Sequence, residues 1–179
     1  MPTERLEEKR AELIIKYRKL EKTERTDEGE RVIYRLTDGK GLKIIMHSIL
    51  GQKTIGISYI RELKEMVTNE QADKGILVGD GKYTYSARSS AEDLGIELIP
   101  PTLPTFDIFA HELVPLHEIV SGEELLDVTK RFHAQPFQFP WIKASDPISI
   151  ILGARPGDVV KITLKSETAG TAVSYRYVV

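Results

Sequence analysis

The chain has 179 residues, 41% of them hydrophobic, a formal net charge of −2 and no cysteine. These values admit one or two packed domains. They exclude disulfides, thiolate metal sites and cysteine nucleophiles, and the slightly acidic balance argues against strong autonomous binding to nucleic acid.

The first ten residues are charged rather than apolar, so no signal peptide is expected. No apolar run approaches the roughly 18 residues of a membrane span, and a cytoplasmic protein is expected. Leu6, Leu13, Ile14, Tyr17 and Leu20 fall on one helical stripe. The cations Lys16, Arg18, Lys19, Lys22 and Arg25 interleave with Glu7, Glu8, Glu12, Glu21 and Glu24, which reads as a solvated helix face with i,i+4 pairs. Thr26 to Glu30 reads as a turn. Val32, Tyr34 and Leu36 alternate as a strand, Thr37-Asp38-Gly39-Lys40-Gly41 is a hairpin signal, and Leu42 to Met46 is the partner strand.

Beyond Gly51 the pattern alternates between helix and strand. Ser58 to Val67 has Ile60, Leu63 and Val67 on one face. Gly75 to Gly79 is a short apolar strand of the kind buried on both faces. Ser86 to Leu94 reads as helix and Ile96 to Ile99 as strand, which implies a partly parallel sheet. Pro100, Pro101 and Pro104 interrupt the chain and place a domain boundary near residues 100 to 110.

Ser121 and Glu124 have the spacing of a capping box, with Leu125, Leu126, Thr129 and Phe132 expected inside. Asp146-Pro147 starts another helix, with the acid as cap, and Gly153 ends it. Asp158 to Leu164 and Ala172 to Val179 both alternate. With Ser166 to Gly170 between them they read as an antiparallel hairpin.

The chain shows no nucleophile elbow and no phosphate-cradling loop. The four histidines, His47, His111, His117 and His133, lack zinc-pair spacing and read as surface or hydrogen-bonded residues. Residues 29 to 99 loosely resemble the core of restriction-endonuclease-like domains. Such nucleases need an acid on one strand and an acid-x-Lys on the next to hold a divalent metal. The matching strand is Ile44-Ile45-Met46-His47-Ser48, with neither in place. Glu62-Leu63-Lys64 has the letters of that motif but lies on a helix, where i and i+2 point apart. Asp27, Glu30 and Asp38 read as turn and surface charges. Residues 1 to 106 hold 18 basic and 18 acidic side chains.

The C-terminal part carries a more specific pattern: His111-Glu112-Leu113-Val114-Pro115, His117-Glu118, Ile142-Lys143-Ala144-Ser145-Asp146-Pro147, Leu152-Gly153-Ala154-Arg155-Pro156-Gly157-Asp158, and Tyr175-Arg176-Tyr177 near the end. This segment, 108 to 179, resembles a family of small archaeal RNA polymerase subunits together with the C-terminal domain of the eukaryotic fifth polymerase subunit. Phe137 to Trp141 departs from that pattern, which usually has Leu before the proline and a charged residue after it.

The resemblance implies an α/β (α+β) protein. Residues 1–106 would form a restriction-endonuclease-like jaw domain. Residues 107–179 would form a small mixed α/β assembly domain ending in the hairpin. It implies a non-catalytic polymerase subunit with no cofactor and no metal. Its partners would be the largest subunit and other polymerase subunits, with downstream DNA near the jaw. The cell compartment would be the cytoplasm of an archaeon, or the nucleus if the source is eukaryotic. Candidate partner-binding residues are His111, Pro115, His117, Asp146, Pro147, Arg155, Thr168 and Arg176. A divergent metal-dependent nuclease and an independent DNA-binding regulator are the alternatives.

Overall fold

The computed structural model describes residues 5–166 and 170–179. The chain separates into two compact units, Met1–Phe106 and Asp107–Val179.

Unit 1 runs α1 (Leu6–Tyr17), β1 (Glu21–Asp27), β2 (Arg31–Thr37), β3 (Lys43–Ile49), β4 (Thr54–Ile55), α2 (Ile57–Asn69), β5 (Lys74–Gly79), β6 (Lys82–Tyr83), α3 (Tyr85–Leu94) and β7 (Ile96–Ile99). The main sheet has the order β1-β2-β3-β5-β7. Its first three strands are antiparallel, and β3, β5 and β7 are parallel. The α crossovers that parallel strands require are α2 and α3. One face of β2 and β3, with Ile33, Ile45 and Ile49, packs under Ile60, Leu63 and Val67 of α2 and Ala87 and Ala91 of α3. On the other face Tyr34 donates its hydroxyl to Glu8 of α1. The strands β4 and β6 pair in parallel as a separate ribbon. A Cβ on Gly81 would stand 2.2 Å from the carbonyl oxygen of Gln52, so that approach admits only glycine.

Three expectations for unit 1 are corrected. The segment from Glu21 to Asp27 is an edge strand rather than helix followed by turn. The cations Lys22 and Arg25 therefore reach Glu12 and Glu8 across from α1 instead of pairing along one helix. The buried stripe of α1 is Ala11, Leu13, Ile14 and Ile15, with Glu7 and Arg10 buried beside it, and Leu6 is exposed. The third strand continues to Ile49, three residues past Met46.

Unit 2 runs from a 3-10 turn (Ile108–Ala110) through β8 (Leu116–Val120), α4 (Gly122–Phe132), a second 3-10 turn (Pro136–Gln138), β9 (Trp141–Ile142), α5 (Pro147–Leu152), β10 (Val159–Ser166) and β11 (Gly170–Val178). Its sheet has the order β8-β10-β11-β9. The hairpin of β10 and β11 is antiparallel and in register from Val159↔Tyr177 to Ser166↔Gly170. Alternation splits the sheet between two small cores. Val120, Val159, Tyr175 and Tyr177 pack with Val128 of α4 and Phe139. Val160, Ile162 and Val178 pack with Leu152 and Ala154.

Asp146 caps α5 by accepting from the Ile148 amide at 2.9 Å, and Gly153 closes it at φ +74°. The expected capping box at Ser121 does not form: its side chain makes no cap bond, Gly122 takes φ +60°, and Glu124 pairs with Lys161 instead. Val128 is the buried residue of α4, whereas Leu126 and Phe132 are exposed.

Candidate functional site

The α2 face of β2 and β3 carries the charged groups of the unit 1 sheet whose strands the nuclease-like reading singles out. Cross-strand register pairs Ile33 with His47, Arg31 with Ile49 and Arg35 with Ile45, so Arg31, Arg35 and His47 share that face. Arg31 meets Glu62 of α2 at 2.5 Å and Glu28 at 2.5 Å. Arg35 meets Glu70, just past the end of α2, at 2.7 Å. Two arginines thus tie α2 down over this face of the sheet. Among the described residues no group of three His, Asp or Glu side chains converges to hold a metal.

His47 corrects the expectation of a surface or hydrogen-bonded histidine. It is 1% exposed, and neither ring nitrogen has a partner among the described residues. Burial, followed by the nearby Arg31 charge, pushes its pKa down to about 4, so the ring is neutral near pH 7. A neutral imidazole flanked by arginines holds no divalent cation alone. The Glu62-Leu63-Lys64 letters diverge as helix geometry requires: Glu62 faces Arg31 while the Lys64 amine donates to the Leu94 carbonyl.

Two further polar sites in unit 1 had no sequence signal, because their partners are distant in the chain. Arg10 is buried, and its guanidinium donates to the carbonyls of Leu103 and Pro101, both at 2.7 Å, and pairs with Asp80 at 2.8 Å. This fixes the proline-rich segment on unit 1. Glu97 accepts from Arg18 and pairs with Lys74. Burial pushes its carboxyl up, but the hydrogen bonds and charges of Arg18 and Lys74 outweigh burial and hold its pKa at about 2.

In unit 2 the candidate partner-binding residues fall into two groups. His111 is exposed and accepts from the Leu113 amide through Nδ1. His117, on β8, is buried, its Nδ1 lies 2.7 Å from the Pro115 carbonyl, and its ring meets Phe109 edge-on. This group borders a groove of about 420 Å3 lined by Phe109, Leu113, Val114, Pro115, Leu116 and Leu164, with Leu113 83% exposed. Asp146 and Pro147 start α5, and the Arg155 amide donates to Asp158 at the following turn. Register puts His117 and Arg176 on the sheet face that packs against α5. The structure gives Asp146 a capping task and leaves Pro147 and Arg155 exposed beside it. Thr168 lies outside the described residues.

Comparison with known proteins joins these observations. Residues 106–178 match the family model for the C-terminal domain of RNA polymerase Rpb5. A DNA-directed RNA polymerase subunit Rpo5 of Sulfurisphaera tokodaii is 54% identical over 69 residues, covering 38% of this chain and 82% of that protein. The Rpo5 of Thermococcus celer is 55% identical over 78 residues, covering 44% of this chain and 95% of that protein.

The chain belongs to the Rpo5 family of RNA polymerase subunits.

Residues 5–102 of this member of the Rpo5 family match a second family model, described as restriction endonuclease. That match and the sheet order give unit 1 its nuclease-like fold. A solved structure of EndoMS in apo form aligns at a TM-score of 0.39 with 24% identity, over 51% of this chain and 44% of that one. The two Rpo5 proteins account for less than half of the present chain, so unit 1 is additional to the part they match.

Proposed function

We infer that this protein is a non-catalytic assembly subunit whose unit 2 docks on the largest polymerase subunit. Unit 1 is a jaw that faces downstream DNA. Catalysis belongs to the large subunits, and the complex works in the cytoplasm. The two compact units serve as separate functional domains with a boundary at residues 106 and 107.

The observation that carries this reading is the near-complete coverage of short Rpo5 proteins by unit 2. A domain that makes up most of a relative's length holds what that relative needs to join its complex. The groove beside His111, Pro115 and His117 suits docking on the largest subunit, because Leu113, Leu116 and Leu164 leave its lining as one exposed apolar patch. Arg155 and Arg176 offer rim charges that steer such an encounter.

The deciding experiment is purification of the tagged chain at natural abundance, followed by mass spectrometry. The large polymerase subunits should accompany it in stoichiometric amounts. Recovery of the chain free of them refutes the reading. The nuclease alternative predicts Mg2+- or Mn2+-dependent DNA cleavage by the purified chain. The strand Ile44 to Ser48, which holds neither the acid nor the lysine that such chemistry needs, argues for its absence.

A further inference from the structure

Unit 2 exposes an aromatic surface apart from the groove beside Leu113. Phe132, Phe139 and Tyr175 form a three-ring cluster with centroids 5.7 to 6.1 Å apart. Register pairs Trp141 with Tyr177 across β9 and β11, which puts the indole on the same sheet face as Tyr175 and Tyr177. The indole N–H reaches the Phe137 carbonyl at 3.4 Å. Phe132, Phe137 and Trp141 remain 49%, 61% and 70% exposed. Three large aromatics left in water at one end of a small domain exceed the scattered apolar exposure of an ordinary surface.

Charge distinguishes this end of the domain. Residues 107–127 carry six acids and no lysine or arginine, whereas residues 128–166 carry six bases and two acids. Arg131 sits over the Phe132 ring at 5.7 Å, Lys130 precedes it, and Lys143 follows Trp141 by two residues. All three are exposed, and none is tied to an acid among the described residues. Lys130 and Arg131 at the end of α4 and Lys143 just past β9 thus add positive charge next to the exposed rings of a domain that is acidic as a whole. We propose that this surface docks an acidic protein segment anchored by apolar side chains, with the rings taking the anchors and Arg131 and Lys143 taking the carboxylates. A nucleic acid strand is the poorer occupant, because the domain as a whole carries more acid than base.

Trp141 is the only tryptophan in the chain, so its emission reports the surface directly. The full-length protein is titrated with a short synthetic peptide alternating Glu with Leu and Phe, with the same peptide carrying Lys for Glu, and with a single-stranded oligonucleotide. The acidic peptide should shift the emission to the blue saturably and the other two should not. Arg131→Glu with Lys143→Glu should weaken that binding about tenfold or more, as expected for two lost charge contacts. Both side chains are exposed, and an unchanged thermal unfolding curve shows that the fold survives. No shift with the acidic peptide, an equal shift with the Lys peptide, or a shift with the oligonucleotide overturns the proposal.

A second arm uses the absence of cysteine: Trp141→Cys is labelled and the chain assembled into polymerase. A label still open to a soluble quencher supports a surface free for a partner, and a buried label overturns it. Failure of the unaltered chain to assemble refutes the polymerase reading instead, and the peptide titration then decides the surface by itself.

Discussion

Arg31 of β2 reaches Glu62 of α2 at 2.5 Å, across the face on which His47 lies buried with no hydrogen-bond partner among the described residues. The sheet has the order β1-β2-β3-β5-β7, and on that face Arg31 and Arg35 clamp α2 through Glu62 and Glu70. Metal-assisted hydrolysis needs carboxylates to gather positive charge. Here the strands present positive charge themselves, and the carboxylates come from α2 to neutralise it.

His47 gives the clamp a pH dependence. Its folded pKa of about 4 lies below the ordinary value of 6.5, so the unfolded chain binds the extra proton first as pH falls. Stability from this group is complete above pH 6.5 and is lost as pH drops from there toward 4. His47→Leu removes an unsatisfied polar ring and should leave stability at pH 7 unchanged or slightly higher. It should also flatten the acid limb between pH 6.5 and 4. Urea unfolding of both proteins at pH 7 and pH 5 checks this; an equal loss in the two proteins contradicts it.

Glu97 acts in the same direction over a lower window. Its folded pKa of about 2 lies below the ordinary 4.5, so its contribution is present above pH 4.5 and is lost as pH falls toward 2. Glu97→Gln leaves Arg18, which is largely buried, without its carboxylate. Removing one partner of a buried pair costs about 3 kcal/mol. Denaturant unfolding at pH 7 should show a loss of that order, and replacement of both Arg18 and Glu97 by apolar residues should recover part of it.

Arg10 closes unit 1 by holding two carbonyls of the proline segment. Arg10→Met keeps most of the volume but leaves those carbonyls without their donor, at a cost of about 1 to 3 kcal/mol for the buried Leu103 carbonyl and less for the half-buried Pro101 carbonyl. The segment near Leu103 should then become the first site of limited proteolysis at native pH. If Arg10→Met leaves both stability and cleavage pattern unchanged, the clamp has no structural role.

Much of this arrangement could be read from residue order, for definite reasons. Gly75 to Gly79 is apolar at every interior position because β5 is covered on both faces, so it announces itself as a central strand. Asp146, Pro147 and Gly153 mark α5 because capping, N1 and C-cap geometry each demand a particular residue type. By contrast β1, with Glu21, Lys22, Glu24, Arg25 and Asp27, has no apolar alternation. It is an edge strand whose side chains pair with α1, and charge pairing leaves no periodic trace. The letters Ser121 and Glu124 suggested a capping box, but Lys161, thirty-seven residues on, took the glutamate. The resemblance of residues 108 to 179 named the family. The Arg31, Arg35 and His47 face, like Arg10 with Leu103, exists only once the sheet brings distant residues together.

The caps of α5 make the last test, because α5 packs behind the sheet face that carries His117 and Arg176. Asp146→Ala removes the acceptor of the Ile148 amide and should cost about 1 kcal/mol. Gly153→Ala forces a side chain into φ +74° and should cost a similar amount. The two act at opposite ends of the same six-residue helix, so the double variant should lose close to the sum if α5 stays formed. It should lose less than the sum if one change already frays the helix. Copurification then separates structure from contact. If Asp146 serves only as a cap, Asp146→Asn, which also caps well, restores both stability and recovery of the large subunits. If stability returns without recovery of those subunits, the Asp146 carboxylate itself touches the partner.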